Sequence, residues 1–379
     1  MKVALVLLGR FPTDKAYGVT TSATIECLDS LGHEVTVYSF ESNLFTSNRF
    51  NYRRQTYQES SYSKYLRKQY SKNNKIINRL YWKIYVRKYL QWVKKECMKE
   101  GYRLVWMRNF ETLRALSTIQ SSLILELHTT LNHKQISFIN TCKDNLLLAP
   151  ISKKIMDNIA EIKLPHAFAP MGIHDIFLSS DLEIDNYLVR FKKRKFLEFV
   201  YVGKLFPGGV SKGVETLIAI AMFAKLNSHD IKIKVIGGDD SEISRFREMI
   251  AKGKVSSYFD LRGQLAHEMA LRELKKSEIV ILTKSADENY AGFPLKAIEA
   301  LASGRITIVE ESDVYKNIFN NGAFVIWFNR ELIDKIFLQI ESTMRDGKLD
   351  LKLKRNVEIA KKFTWINRTL NLLAKIGNN

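Results

Sequence analysis

Leu197-Glu-Phe-Val-Tyr-Val-Gly-Lys-Leu-Phe-Pro-Gly-Gly-Val-Ser-Lys-Gly-Val-Glu215 reads as a strand, a glycine-rich loop and the start of a helix. The run Leu197–Val202 is mostly apolar, as expected of a strand covered on both faces of a parallel sheet. Gly203 ends it, Lys204 follows, and the loop delivers Lys212 and Gly213 to a helix predicted over Val214–Lys225. Backbone N–H groups and the helix dipole favour phosphate at such a terminus, and two lysines can neutralise a diphosphate without a metal ion. A solvent-facing lysine on an ordinary glycine loop is the other reading of the same residues.

Working outward, the pattern continues as strand Ile231–Ile236, Gly237-Gly238, helix Ser241–Ala251, a short strand near Tyr258–Leu261 and helix Ala266–Lys276. Strand Glu278–Thr283, helix Leu295–Ser303 and strand Ile306–Val309 complete it. Such alternation predicts a doubly wound α/β domain. Its last helix follows Gly292-Phe-Pro-Leu-Lys-Ala-Ile-Glu299, so free amides open the helix and Glu299 sits one turn inside. A carboxylate there can accept hydrogen bonds from a ribose diol, or else is a plain surface glutamate. The amino-terminal end has the same style. Strand Lys2–Leu8, loop Arg10–Tyr17, Gly18, helix Thr20–Leu31 and strand Glu34–Ser39 form a βαβ unit. Two α/β domains are expected to meet between Pro170 and Leu197, with the basic run Arg190-Phe-Lys-Lys-Arg-Lys195 marking the junction.

The chain of 379 residues carries 59 Lys plus Arg against 40 Asp plus Glu, a net +19, which predicts an anionic partner. Cys27, Cys97 and Cys142 are far apart, which excludes a zinc ribbon, argues against a disulfide framework and predicts a reducing compartment. No apolar run approaches the ~18 residues of a membrane span, and the opening Met1–Leu8 is too short for a signal h-region. Residues 51–100 hold fourteen Lys or Arg and three Glu, with ten Tyr or Trp interleaved. Helical spacing runs from Ile76 to Lys95, with Leu80, Ile84 and Tyr85 on one side. Cations that attract phosphate, mixed with rings that settle at headgroup level, favour an anionic membrane surface. A helix packed on its own domain is the alternative. No nucleic acid is expected, because no RNA-binding or zinc signature accompanies the charge.

Taken together, these segments resemble the retaining glycosyltransferases of the GT-B fold, the large group called family 4 or glycosyl transferases group 1. Tyr201-Val-Gly-Lys with Ser211-Lys-Gly-Val is similar to the family's diphosphate loop. Val235-Ile-Gly-Gly238, Leu261-Arg-Gly-Gln264 and Glu299-Ala-Leu-Ala-Ser-Gly304 are similar to later motifs in the same order. Ala169-Pro-Met-Gly-Ile-His-Asp-Ile-Phe177 resembles the interdomain segment, and Ala360-Lys-Lys-Phe-Thr-Trp365 the element returning to the first domain. Gly18-Val19, Gly32-His-Glu-Val35, Val105-Trp-Met-Arg108 and Glu126-Leu-His128 resemble acceptor-side motifs.

The resemblance implies two Rossmann-like doubly wound domains facing across a cleft, 1–175 for the acceptor and 190–355 for the donor, with a crossover helix over 356–379. It implies Lys204 and Lys212 on the donor diphosphate, Glu299 on the ribose and His128 on the donor sugar, the first two and His128 being catalytic. Gly18, Gly203, Gly237, Arg262 and Gly292 would also serve the donor, as would the amides of Phe293, Leu295 and Lys296. No metal or cofactor is implied. The donor would be a UDP- or GDP-linked nucleotide-sugar, and the acceptor a lipid-linked oligosaccharide or glycolipid of bacterial surface polysaccharide assembly. The expected location is the cytoplasm, peripheral on the inner face of the cytoplasmic membrane. Three departures stand out: lysine at 204 where arginine is usual, Ala291 where a glutamate is usual, and Pro294 where glycine is frequent. A nucleotide-sugar 2-epimerase of the same fold and a non-catalytic polyanion-binding relative remain as alternatives.

Overall fold

A computed structural model of the chain describes residues 1–13, 16–40, 52–57, 75–284 and 293–377. Two compact units divide it, one of residues 1–171 with 365–379 and the other of 172–364.

The first unit is built on a six-stranded parallel sheet in the order β3-β2-β1-β4-β5-β6. Its strands are β1 (Lys2–Arg10), β2 (Glu34–Phe40), β3 (Tyr52–Tyr57), β4 (Leu104–Met107), β5 (Ser122–Leu127) and β6 (Leu146–Pro150). Val3 pairs with both Val35 and Leu104, so β1 is central, and its run Val3–Leu7 is buried because it is covered on both faces. Helices α1 (Ala16–Ser30), α2 (Lys75–Glu100), α3 (Phe110–Leu116), α4 (His133–Ile139) and α5 (Lys153–Asn158) connect the strands. The first turn of α1 begins before the predicted Thr20, and the Thr20 and Thr21 hydroxyls donate back to the Tyr17 carbonyl at 3.0 and 2.7 Å.

The α2 region corrects the reading of residues 51–100. Leu80 and Ile84, read on one side with Tyr85, are 59% and 48% exposed. The buried stripe is Val86, Tyr89, Leu90, Val93 and Cys97. Its register is set by rings on β2 and β3. Tyr89 lies 4.7 Å from Phe40, Tyr85 lies 5.0 Å from Phe40, and Trp92 packs edge-on to Tyr38 at 5.5 Å. Tyr57 touches Tyr85, Tyr89 and Trp92. Much of the interleaved aromatic content is therefore core of this unit, where offset and edge contacts add to area burial. Tyr62, Tyr65 and Tyr70 lie outside the described residues. No helix among the described residues is long and apolar enough to cross a membrane.

The second unit repeats the plan with the order β12-β11-β10-β7-β8-β9, again parallel. Its strands are β7 (Leu197–Val202), β8 (Ile231–Ile236), β9 (Phe259–Gly263), β10 (Ile279–Leu282), β11 (Ile306–Glu310) and β12 (Ile326–Phe328). Its helices are α6 (Asp181–Lys192), α7 (Val214–Leu226), α8 (Asp240–Lys252), α9 (His267–Lys276), α10 (Leu295–Ala302), α11 (Asp313–Phe319), α12 (Asp334–Met344) and α13 (Leu349–Lys361). The predicted elements fall within two residues of these at each end. The basic run Arg190–Lys195 lies inside this unit, at the end of α6, and is not the junction. Phe191 is core, and the Arg194 guanidinium stacks 4.3 Å over its ring.

The return to the first unit comes at Trp365, nine residues beyond the expected 356. Leu353, Val357 and Ala360 are buried where α13 packs on α10 and α6. Helix α14 (Trp365–Gly377) then joins the first unit, where Trp365 clusters with Ala23 and Cys27.

Candidate active site

In a doubly wound sheet, ligands bind beyond the carboxyl ends of strands where the strand order reverses. In the second unit that point lies between β7 and β10, and both strands end there in tightly interlocked loops. Gly203 leaves β7 with its N–H donating to the Ile236 carbonyl at 2.9 Å, and the Gly237 N–H donates to the Gly263 carbonyl at 2.7 Å. A Cβ on Gly237, at φ +117°, would lie 2.2 Å from the Gly203 carbonyl oxygen, so only glycine lets these two loops touch. Gly213, at φ +82°, is the N-cap of α7, and a Cβ there would lie 2.3 Å from the Lys284 carbonyl oxygen. The loop end of β10 and the start of α7 are thus in backbone contact.

Lys212 is fixed between them. Its N–H donates to the Leu205 carbonyl at 2.9 Å, and its carbonyl accepts from Thr283 Oγ1 at 2.6 Å. Glu242, buried in α8, accepts from the Phe206 N–H at 2.8 Å and pins the same loop from below. Lys204 is exposed, and its own backbone carbonyl accepts from the Tyr201 hydroxyl at 2.8 Å. The Glu215 carboxylate, in the first turn of α7, accepts from the Ser211 hydroxyl at 2.6 Å.

Helix α10 opens beside this loop. Phe293 is buried, its ring stacked on Phe363 at 6.0 Å. Leu295 and Lys296 form the first turn, and Glu299 is only 6% exposed, so it is not a plain surface glutamate. Glu299 Oε1 lies 2.7 Å from Nε2 of His267, the first residue of α9. That hydrogen bond raises the His267 pKa against the opposing effect of burial. The ring also lies edge-on to Phe177 at 6.4 Å, so the segment ending in Phe177 reaches the same place. Sequence reasoning missed His267. The signal for it was its position just beyond the end of β9. Arg262 does not join the group through its side chain, which is exposed and paired with Asp260 on the same face of β9 at 2.9 Å. Gly292 and Ala291 lie outside the described residues.

In the first unit the order reverses between β1 and β4. Arg108 follows β4 and His128 follows β5, joined through Glu126. Glu126, 4% exposed, accepts from Trp106 Nε1 at 2.8 Å and from Arg368 Nη2 at 2.7 Å, both at Oε1. Its Oε2 lies 2.9 Å from His128 Nε2. Arg108 holds the same ring, with Nε 2.9 Å from Nε2 and Nη2 3.2 Å from Nδ1, while its Nη1 donates to Thr20 Oγ1 at 2.7 Å. Burial would raise the Glu126 carboxyl, but Arg368, the His128 hydrogen bond and Arg108 together hold it well below the carboxylate range. Burial and the two guanidinium groups lower the His128 pKa, Glu126 opposing, which favours a neutral ring at neutral pH. Gly18 is buried in the first turns of α1, packed against Thr13. Arg368 comes from α14 and also donates to the Pro170 carbonyl at 3.0 Å. Nothing in its sequence setting marked it.

Comparisons with known proteins agree with this fold. Residues 188–359 match the family described as Glycosyl transferases group 1. A glycosyltransferase from Rickettsia africae ESF-5 superposes with a TM-score of 0.73 at 12% identity, covering 100% of this chain and 98% of the other. The Anabaena protein HepE (Alr3699) in complex with UDP gives 0.70 at 13% identity, covering 100% of both chains. WaaG, a glycosyltransferase involved in lipopolysaccharide biosynthesis, gives 0.61 at 13% identity, covering 98% of both. No match was found among curated protein sequences. The chain has the GT-B fold of these proteins, and its residues 188–359 are similar to the glycosyl transferases group 1 family.

Proposed function

We propose that the chain is a retaining, metal-independent glycosyltransferase. It moves a sugar from a UDP- or GDP-linked donor, bound by the second unit, to a sugar hydroxyl of a lipid-linked oligosaccharide or glycolipid. The observation that carries this is the convergence of Lys212, the Gly203–Gly237 contact and the His267-paired Glu299 at the strand-order reversal of the second unit. Lys204 and Lys212 are assigned to the diphosphate, where stabilising developing negative charge is commonly the largest catalytic effect. Glu299 is assigned to the ribose, through whichever oxygen atoms His267 leaves open. His128 is assigned to the transferred sugar as a neutral hydrogen-bonding group. In the front-face mechanism that the resemblance implies, the departing phosphate takes the acceptor proton, so the two-carboxylate arrangement of glycosidases is not needed.

A thermal-shift panel of UDP, GDP and ADP in EDTA tests the donor assignment. At a hundred times Kd, one of them should stabilise the protein by about 2.7 kcal/mol. A shift that appears only when a divalent cation is added would end the metal-independent reading, and no shift with any nucleotide would end the donor reading itself.

We further propose a role in bacterial surface polysaccharide assembly at the inner face of the cytoplasmic membrane. Support comes from the first turns of α2, where exposed Leu80, Trp82 and Ile84 stand among exposed Arg79, Lys83, Arg87 and Lys88. Each basic residue near an anionic surface contributes about 1 kcal/mol. The triple substitution Lys83→Glu, Arg87→Glu and Lys88→Glu should therefore lower partitioning onto phosphatidylglycerol vesicles by about a hundredfold or more. Unchanged co-sedimentation would refute the membrane reading and leave the donor site untouched.

A further inference from the structure

Helix α10 carries a second charged group that the donor reading leaves without a partner. The family resemblance uses Lys296 only through its backbone amide, yet its side chain reaches back over the end of β7. Nζ lies 4.8 Å from the centre of the Tyr201 ring and 3.8 Å from where a Cβ on Gly203 would sit. Among the described residues it has no hydrogen bond and no ion pair. Among the described residues three groups face it: Tyr201 from β7, Lys212 from the loop before α7, and Glu299 from its own helix. Glu299 is the only anion of the three, and one of its oxygen atoms is already held by His267. A half-buried ammonium beside a second cation, at a helix start where the first amides point outward, is chemistry suited to an anion.

We propose that Lys296 Nζ is a third cation of the diphosphate site, binding the ligand directly together with Lys204 and Lys212. The proposal rests on the donor reading of the second unit. It also makes binding depend on pH. Burial, then Lys212, push the Lys296 ammonium down to about 8, with Glu299 opposing. Above that pH the Lys296 amine of the free protein is largely neutral. An arriving diphosphate restores the charge by drawing a proton from solvent onto the Nζ lone pair. Once protonated, the ammonium also has the Tyr201 ring 4.8 Å away for a cation–π contact.

Isothermal titration with UDP, GDP, ADP and inorganic pyrophosphate, in EDTA and in two buffers of different ionisation enthalpy, tests this on the full chain. With pKa about 8, wild type should take up about 0.7 proton per ligand at about pH 8.5 and almost none at about pH 6.5. Lys296→Met should bind about tenfold or more weakly at about pH 6.5, without uptake at either pH, as loss of a charge-assisted hydrogen bond implies. Lys296→Arg, charged at all these values, should bind without uptake. Lys296→Gln serves as the neutral variant if the methionine variant melts early. Wild-type binding without uptake, and a neutral variant within about twofold of wild type, would overturn the role of Lys296 while the donor site stood. Failure of every probe to bind wild type would overturn the donor reading and this inference together.

Discussion

Replacing Glu126 by Ala should destabilise the first unit by about 3–5 kcal/mol, because it strips the counter-charge from buried cations. Arg368 is 5% exposed, and its Nη2 lies 2.7 Å from Glu126 Oε1. Arg108 lies 3.6 Å from the other oxygen. Without the carboxylate, the Trp106 N–H also loses its acceptor, and Arg368 Nη1 already has no hydrogen-bond partner among the described residues. A unit of this size should lose about 6–20 °C in melting temperature. Trp106 reports on its own site, so fluorescence-detected urea or thermal unfolding is the measurement. Glu126→Gln should fall between the two, since it keeps shape and one acceptor but not charge. Glu126→Met combined with Arg368→Met should recover much of the loss, because two apolar groups leave no orphan charge. The pH dependence has a fixed sign. The folded carboxyl lies well below its ordinary 4.5, so its contribution is fully present above that value and is lost as pH falls through the folded one. A melting temperature within about 2 °C of wild type for the alanine variant would show that the carboxylate is not buried among these cations.

The same network shows what the sequence could and could not disclose. Arg108, Glu126 and His128 each stand at a strand end, and strand ends are legible because apolar runs stop there. Their tie to Arg368 was not legible, since 242 positions separate Glu126 from that residue and α14 has no local pattern pointing to a buried carboxylate. In the second unit the cradle could be read directly. Gly203, Gly237 and Gly213 punctuate apolar runs, and at Gly237 and Gly213 the structure gives the reason in backbone contacts that a Cβ would fill. Residues 51–100 could be read two ways for a physical reason. Tyr and Trp suit both a membrane interface and a crowded ring cluster, and only the rings on β2 and β3, distant in sequence, decide that Tyr85, Tyr89 and Trp92 turn inward. The run Arg190–Lys195 misled, because long basic side chains can bury their stems and stack on rings while their charge stays wet.

Lys212→Ala should lower turnover of the nucleotide-sugar donor by about 10²–10³-fold, the usual cost of removing one preorganised group that meets developing negative charge. Lys212 and Lys204 carry the same charge but not the same preorganisation. The Lys212 backbone is held by the Leu205 carbonyl on one side and by Thr283 Oγ1 on the other, with Gly213 capping α7 next to it. Its backbone is therefore in place before the donor arrives, and only the side chain remains to be ordered. Lys204 is exposed, and its flexible stem must be ordered at each binding event, which costs side-chain entropy. Lys204→Ala should consequently cost less in turnover, of the order of tenfold, and more of its effect should appear in donor affinity. If Lys212 stabilises the leaving diphosphate, its loss should lower kcat more than it raises KM, because the interaction strengthens as the bond to the sugar breaks. Donor hydrolysis, read as release of nucleoside diphosphate, gives both constants without knowledge of the acceptor. A Lys212→Ala enzyme with unchanged kcat and a raised KM would confine Lys212 to ground-state binding. Wild-type values for both constants would remove it from the site.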